Sequence, residues 1–475
     1  MSTKLNTDNK RYFPLINMKT AGLSGLVSLM IAHTPALAGN LDEQDFGNEV
    51  KNLMADAVQI VCGGFVGNNN AEDGIELDEN QTQLFTRCRQ MVHTANELEG
   101  SGPTGDSLGL TQEELGDAMK ALASEEVGVQ GDWANRSNNQ QLANMKGRFA
   151  ALRSGATGLS LNGLRFQNND GLVVFSDSWL EQPTQGGNAG DGSSKLGVFV
   201  NGNFSTGDRD STELQTGYDL DSIGITAGLD YRFTPELVLG FAIGLTDTET
   251  DFDNNEGSQD IEGLNYTLYG TYSLGDLYLD ASISAGQQDY DSTRLVAYAD
   301  GTVNTTPRAS TEGDLLNGYI ALGYNLPVDQ LQVSAYGQLH YVDIEIDGFE
   351  ETGGNDPSIN MAVEDQSVDS LQTVIGAQLA KNLSTDWGVI VPYAKLDWHH
   401  EFEDDSRTTV FQYVFDPFNT NYTLNTDEPD SDYFVAGLGT NLVFDGGQVF
   451  VDYQTPLGLK DVTNHAFTIG AKLDF

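Results

Sequence analysis

The sequence predicts a mainly β protein, a twelve-stranded antiparallel outer-membrane β-barrel preceded by a small, mostly helical N-terminal region. Three observations carry this. First, apolar and polar residues alternate over long runs. Leu331, Val333, Ala335, Gly337, Leu339 and Tyr341 fall on one face, and Gln332, Ser334, Tyr336, Gln338 and His340 on the other. Such a run matches the roughly 9–11 residues that a tilted strand needs to cross a bilayer. Second, tight turns alternate with long polar loops, the pattern of a barrel with one short-turn end and one long-loop end. Third, no stretch after the leader approaches the roughly eighteen apolar residues of a spanning helix. A chain that crosses lipid without such helices must close on itself, because every backbone N–H and C=O has to be paired internally.

The elements follow in order. Lys4, Lys10, Arg11 and Lys19 make a basic stretch, residues 21–32 an apolar one, and Ala36-Leu37-Ala38 a small-x-small site. Residues 1–38 therefore read as an export signal for the Sec machinery, with cleavage expected between Ala38 and Gly39. Four helices are expected next. The first covers residues 48–61. The second covers 81–98, where Leu84, Cys88, Met91, Ala95 and Leu98 share a face. Cys62 and Cys88 are the two cysteines of the chain. In an oxidising compartment they are expected to form a disulfide, since no second pair or flanking histidines make a zinc site. The third helix opens with Thr111-Gln112-Glu113-Glu114, a capping box in which hydroxyl and carboxylate satisfy each other's amides. The fourth covers 138–154 and stops at Gly155. It carries Lys146, Arg148 and Arg153, unusual in a chain of formal charge −47. Residues 182–194 read as a flexible linker.

Twelve strands are expected at residues 196–204, 223–233, 237–245, 264–274, 277–285, 316–326, 331–341, 371–379, 390–402, 434–444, around 449–453 and 467–475. Tight turns fall at Thr234-Pro235, Gly275-Asp276, Pro327-Val328-Asp329, Ser384-Thr385 and Asp445-Gly446-Gly447. Polar loops lie near 206–219, 251–260, 291–313, 345–367, 403–431 and 458–464.

The acidic balance excludes nucleic acid as a partner, because that needs a basic footprint. Two short motifs tempt towards chemistry. Gly105-Asp106-Ser107-Leu108 spells the name of a family of surface serine esterases. A serine is a weak nucleophile without a base beside it. Here His93 precedes Ser107, Gln90 stands where the supporting aspartate belongs, and residues 101–104 have loop composition. Catalysis is not expected. Asp251, Asp253, Asn255 and Gly257 resemble the opening of a calcium loop, but Glu256 occupies the place where the turn needs glycine. Neither a metal nor a cofactor site is expected. Of the barrel histidines, His399 is expected in the lumen and His400 at the membrane interface.

From about residue 195 to 475 the chain resembles the C-terminal translocator barrel of autotransporters (type V secretion). The segments LGVFVNGNFSTGDRD from Leu196, PYAKLDWHHEF from Pro392 and GQVFVDYQTPLGLKDVTNHAFTIGAKLDF from Gly447 carry the likeness. The resemblance implies twelve strands, with Phe467, Ile469, Ala471, Leu473 and the terminal Phe475 read by the outer-membrane barrel assembly machinery. It also implies a helix threading the barrel, and two placements of the fourth helix follow: in the pore, where inward-facing Asp230, Asp280, Asp397 and Glu401 match Lys146, Arg148 and Arg153, or packed within the small N-terminal domain. The expected organisation is signal peptide 1–38, small helical passenger 39–160, linker or pore-threading segment 161–194 and barrel 195–475. The expected function is a non-enzymatic autotransporter, surrounded by outer-membrane lipids, that anchors its N-terminal passenger at the cell surface. A porin-like barrel with a periplasmic N-terminal domain is the alternative.

Overall fold

The computed structural model describes residues 41–71, 74–153, 158–162, 165–168, 171–174, 195–328, 331–444 and 447–473. Twelve strands make the barrel: β1 Leu196–Arg209, β2 Tyr218–Arg232, β3 Leu237–Phe252, β4 Gly257–Leu274, β5 Leu277–Arg294, β6 Arg308–Val328, β7 Leu331–Ile346, β8 Gln366–Lys381, β9 Gly388–Glu401, β10 Asp432–Phe444, β11 Gly447–Leu457 and β12 Val462–Leu473. Each pairs antiparallel with the next, and β12 closes on β1 from Val462 opposite Arg209 to Phe467 opposite Phe204. A short strand, Gly158–Asn162, lies parallel to the start of β1.

The registers fix the size of the tube. Following opposed residues from Leu326 on β6 through Val333, Leu379, Ala394, Leu438, Tyr453, Phe467, Phe204, Ile223, Asp247, Glu262 and Asp289 leads back to β6 at Glu312. One circuit thus climbs fourteen residues. With standard strand spacings, that stagger over twelve strands tilts them about 40° and gives a backbone radius of about 12 Å. After side chains are allowed for, the interior admits one α-helix of about 10–12 Å diameter.

Side chains alternate across the wall. On β3, Leu239, Phe241, Ile243 and Leu245 are exposed while Val238 and Ala242 are buried. The outward rows remain apolar for about nine to eleven residues from the short-turn end, the height of a lipid core. They then become acidic, at Asp247 and Glu249 on β3, Glu262 and Asp260 on β4, and Asp289 and Asp291 on β5. All of these are exposed. The strands continue past the lipid into water, which is why they are longer than the membrane requires.

Four helices precede the barrel: α1 Glu49–Asn70, α2 Glu79–Glu99, α3 Gln112–Ala123 and α4 Gln130–Arg153. The capping box on α3 forms as expected, with Thr111 and Glu114 each satisfying the other's amide. The Cys62–Cys88 disulfide joins α1 to α2, with the two Cα atoms 5.6 Å apart. Two helices exceed their expected limits by more than two residues. The first continues through Gly63-Gly64 to Asn70 because Phe65 is fully buried and stacks on Phe85 at 5.3 Å. The fourth starts at Gln130 directly after a 3-10 turn, Glu125–Val129. Its expected stop at Gly155 falls outside the described residues.

Three further expectations change. The loop regions 345–367 and 403–431 are not featureless. Phe349–Glu350, Met361–Val363, Thr408–Tyr413 and Tyr422–Asn425 form a four-stranded sheet, and Val296–Tyr298 pairs with Val303–Thr305. The turn expected at Ser384-Thr385 forms two residues later, because Thr385 pairs with Gly388 and its hydroxyl donates to the Gly388 carbonyl at 2.9 Å. The structured loops share one hydrophobic cluster with α1, α2 and α3, so Met54, Phe65 and Met119 meet Val296, Ile359, Met361 and Phe411. The helices therefore form a cover over the long-loop end of the barrel. Their core is completed by residues far away in the sequence, as Val296 is from Met54 and Met119.

Candidate functional site

The lumen is occupied. Leu142, Met145, Phe149 and Leu152 of α4 cluster with inward-facing Phe199, Val238, Ala242, Tyr269, Tyr319 and Ala321. Burying each such side chain against the wall contributes about 1.5–3 kcal/mol. The helix enters from the long-loop end, where Gln366 donates to Gln130 at 2.9 Å. It descends to the short-turn end, where Arg148 meets Asp230 near the close of β2.

A polar seam fixes its rotation. The Thr226 hydroxyl donates to Gln141 Oε1 at 2.6 Å and accepts from Asn144 at 3.1 Å. Gln141 donates to Thr267 at 3.2 Å, and Asn201 donates to the Asn144 carbonyl at 2.8 Å. Arg148 is fully buried. Its Nε and Nη2 both donate to Asp230 Oδ2, at 2.8 and 2.5 Å, and the same oxygen accepts from the Tyr269 hydroxyl at 2.8 Å. The guanidinium also lies 4.8 Å from the centre of the Phe199 ring. A buried charge left unpaired is costly, and this set of donors compensates Asp230. Glycines make the approach possible. A Cβ at Gly197 would strike Asp230 and Arg148, and one at Gly244 would strike Gln141.

The wall repeats one construction. Tyr269 on β4 faces Gly240 on β3, which faces Asp230 on β2. Tyr336, Gly376 and Asp397 form the same row across β7, β8 and β9, and Tyr393, Gly439 and Asp452 across β9, β10 and β11. In each row the ring lies over the glycine and the hydroxyl donates to the aspartate, at 2.8, 2.6 and 2.8 Å. Three strands are thus tied by one side chain. Of these residues, the alternation alone marks Asp230, Tyr336 and Asp397 as inward-facing; interior glycines within strands that also carry inward tyrosines are the signal for the rest.

The remaining expected residues fall as follows. Asp280 accepts from Thr271 at 2.6 Å, and Glu401 accepts from the Ser370 hydroxyl at 2.7 Å and the Leu371 amide at 2.9 Å; both serve the barrel wall. Lys146 lies 5.4 Å from the centre of the Tyr319 ring. The side chain of Arg153 is outside the described residues. His399 lies inside the wall, with Nδ1 2.9 Å from Gln372 and its ring stacked on Tyr433. His400 points outward, 3.0 Å from Asp432 and stacked on Trp398. Phe467 is half exposed on the outer wall, and Ile469, Ala471 and Leu473 pair in register with Val451, Val449 and Gly447. Phe475, Ala38 and Gly39 lie outside the described residues.

Ser107 has structural partners. Its hydroxyl donates to Glu97 and accepts from the Gly109 amide at 3.0 Å. His93 spends its Nδ1 on the Asp106 amide at 3.0 Å, and burial holds its pKa below the ordinary histidine value against the pull of Asp106. These bonds staple the loop after α2. In the calcium-like segment, Asp253–Asn255 make a 3-10 turn and β4 begins at Gly257. Glu262, twelfth from Asp251, sits on the exposed outer face of β4 rather than folding back over a loop. Among the described residues no group of three or more His, Cys, Asp or Glu is gathered to hold a metal.

Comparison with known proteins gives a consistent picture. The model of the autotransporter beta-domain matches residues 198–454, more than half of the chain. Outer membrane protein A of Rickettsia conorii is 24% identical over 276 residues, which cover 56% of this chain and 13% of that protein. Lipase 1 of Photorhabdus luminescens is 25% identical over 263 residues, covering 53% and 38%. The solved translocator domain of autotransporter NalP from Neisseria meningitidis is 18% identical, covers 60% of this chain and 90% of that one, and superposes with a TM-score of 0.46. The chain thus spans well under half the length of these two sequence relatives.

Proposed function

Since the chain belongs to the autotransporter family, and its barrel lies in the bacterial outer membrane, we propose that the barrel carried its own N-terminal helices to the cell surface and retains them there as a cover. α4 is then the segment left in the pore, and α1–α3 the passenger. The observation that carries this reading is the shared core: α1–α3 pack on the long loops at the end from which α4 enters. In outer-membrane barrels that end faces outward. Export by the Sec route, insertion by the barrel assembly machinery through the strand ending in Phe467, Ile469, Ala471, Leu473 and Phe475, and removal of residues 1–38 after Ala38 belong to the same proposal. So does the division into a helical region, a threading segment and a barrel from residue 195.

The displayed helices act as an interaction or sealing module, not an enzyme. The relatives include a lipase, similar over 38% of its length, and in this chain Ser107 is committed to Glu97 and Gly109. A porin-like barrel with a periplasmic domain would put the helices at the short-turn end, the opposite of their packing here.

An epitope inserted between Gly102 and Pro103, an exposed loop of the cover, tests the proposal. Antibody and protease should reach it on intact cells. Access only after permeabilisation would overturn it in favour of the periplasmic alternative.

A further inference from the structure

Where α3 hands over to α4, the chain turns sharply. Ser124 closes α3 with φ 57°, in the left-handed region that disfavours residues other than glycine. The 3-10 turn that follows carries two adjacent glutamates onto the barrel rim. Glu125 is 4% exposed. Its Oε1 lies 2.6 Å from Thr216 Oγ1, and Glu256 Oε2 lies 2.7 Å from the same hydroxyl. Lys120 Nζ donates to that oxygen at 2.9 Å and stands 3.2 Å from Glu125 and 3.5 Å from Glu256.

A hydroxyl has one hydrogen. Thr216 can donate to one of the two carboxylates, so the other reaches it only as a carboxylic acid. The cluster is complete when the pair holds a proton. Glu126 adds a second site. Its Oε2 is buried with no hydrogen-bond partner among the described residues. Arg294 at the end of β5, Glu125, Glu256 and, from the loop sheet, Tyr422 face it. Arg294 is already engaged with Glu351 through two bonds, at 2.8 and 2.6 Å. Burial pushes Glu126 up to about 8. Burial also raises Glu125, against the pull of Lys120 and Thr216.

Four segments meet at this point: α3 through Lys120, the turn through its glutamates, the β1–β2 loop through Thr216 and the β3–β4 turn through Glu256. We infer that the junction is a proton-operated latch. Protonated, it clamps the α3–α4 turn to the barrel rim; on losing its protons it lets α1–α3 lift from the mouth while α4 stays in the lumen. Both glutamates bind their protons more tightly folded than unfolded. Their contribution is full below the ordinary glutamate range and is lost as pH rises, for Glu126 through about 8. The latch concerns the folded chain and does not depend on how the helices reached their place.

Hydrogen–deuterium exchange on the full-length barrel in lipid vesicles, corrected for intrinsic rates, tests it. Between pH 5.5 and 9, amides of α3 and the turn should exchange at least tenfold faster relative to those of α4. In the Glu125→Gln/Glu126→Gln variant they should stay protected throughout. The single change Glu256→Gln, on the barrel side, should move the onset to lower pH, because it removes a negative neighbour that helps Glu125 and Glu126 hold their protons. A flat wild-type profile, an equal rise in the double variant, α4 opening in step with α3, or an unmoved onset in Glu256→Gln would each overturn the latch.

Discussion

Arg148 shows how much one side chain can decide when it is fully enclosed. Its two bonds to Asp230 hold α4 at the short-turn end, and both partners are buried. Removing one member of such a pair leaves the other buried and charged, at a cost of about 3–5 kcal/mol, whereas removing both costs far less. Arg148→Met should therefore destabilise the purified barrel to denaturant by about that amount and raise its ion conductance as the helix loosens. Arg148→Met/Asp230→Leu should recover most of the stability; a double variant as unstable as the single one would place the loss elsewhere. The Tyr–Gly–Asp rows are equally specific. A side chain at Gly376 would enter the Tyr336 ring and the Asp397 carboxylate, and such overpacking costs about 1–3 kcal/mol. Gly376→Val should lower the refolding yield, with part of it restored by Tyr336→Ala; no restoration would mean the glycine matters for its backbone and not for the ring above it.

At the level of elements, the strands were legible in the sequence and the loops were not. Lipid demands apolar rows, so Leu331 through Tyr341 could be read as a spanning strand from alternation alone. The sheet made by Met361–Val363 and Thr408–Tyr413 has no such signature, because its buried side, Met361, Val363 and Phe411, is completed by helices drawn from the N-terminus. The start of α4 was missed for a related reason. Residues 130–140 carry almost no apolar period, and the helix there continues directly from a 3-10 turn. Arg148 was singled out by its charge, but its specific partner among four candidate carboxylates depended on register. The cover and the lumen also keep separate cores, and this predicts separable stability. Replacing Cys62 and Cys88 by serine removes a cross-link worth about 2–4 kcal/mol. Limited proteolysis should then cut the loop at residues 100–105 at least tenfold faster, while the barrel keeps its resistance. Equal loss of resistance in the barrel would show that the two cores unfold together.

Across the whole molecule the dominant fact is charge, and the registers concentrate it. Asp247, Glu262, Asp289 and Glu312 stand directly opposite one another on β3 to β6, and Asp221, Glu249, Asp260 and Asp291 form a second such row on β2 to β5. Like charges directly opposed across a sheet are destabilising, yet these rows sit just beyond the lipid, where water and salt reach them. Screening should therefore stabilise the folded state. The Debye length falls from about 30 Å at 0.01 M salt to about 8 Å at 0.15 M, so thermal unfolding should move to higher temperature over that range. The same rows set a pH dependence. Burial, and then Asp247, Asp291 and Asp251, hold the Asp260 pKa above the ordinary aspartate value. A carboxyl that prefers its proton when folded stabilises the barrel at acid pH, and that contribution disappears as pH rises through its folded-state value. Asp260→Asn should accordingly raise the unfolding temperature at neutral pH, flatten its pH dependence above the aspartate range, and weaken the response to salt. If the variant kept the full salt response, the repulsion would have to lie in the loops beyond the strands, and the paired rows would be neutralised by contacts other than screening.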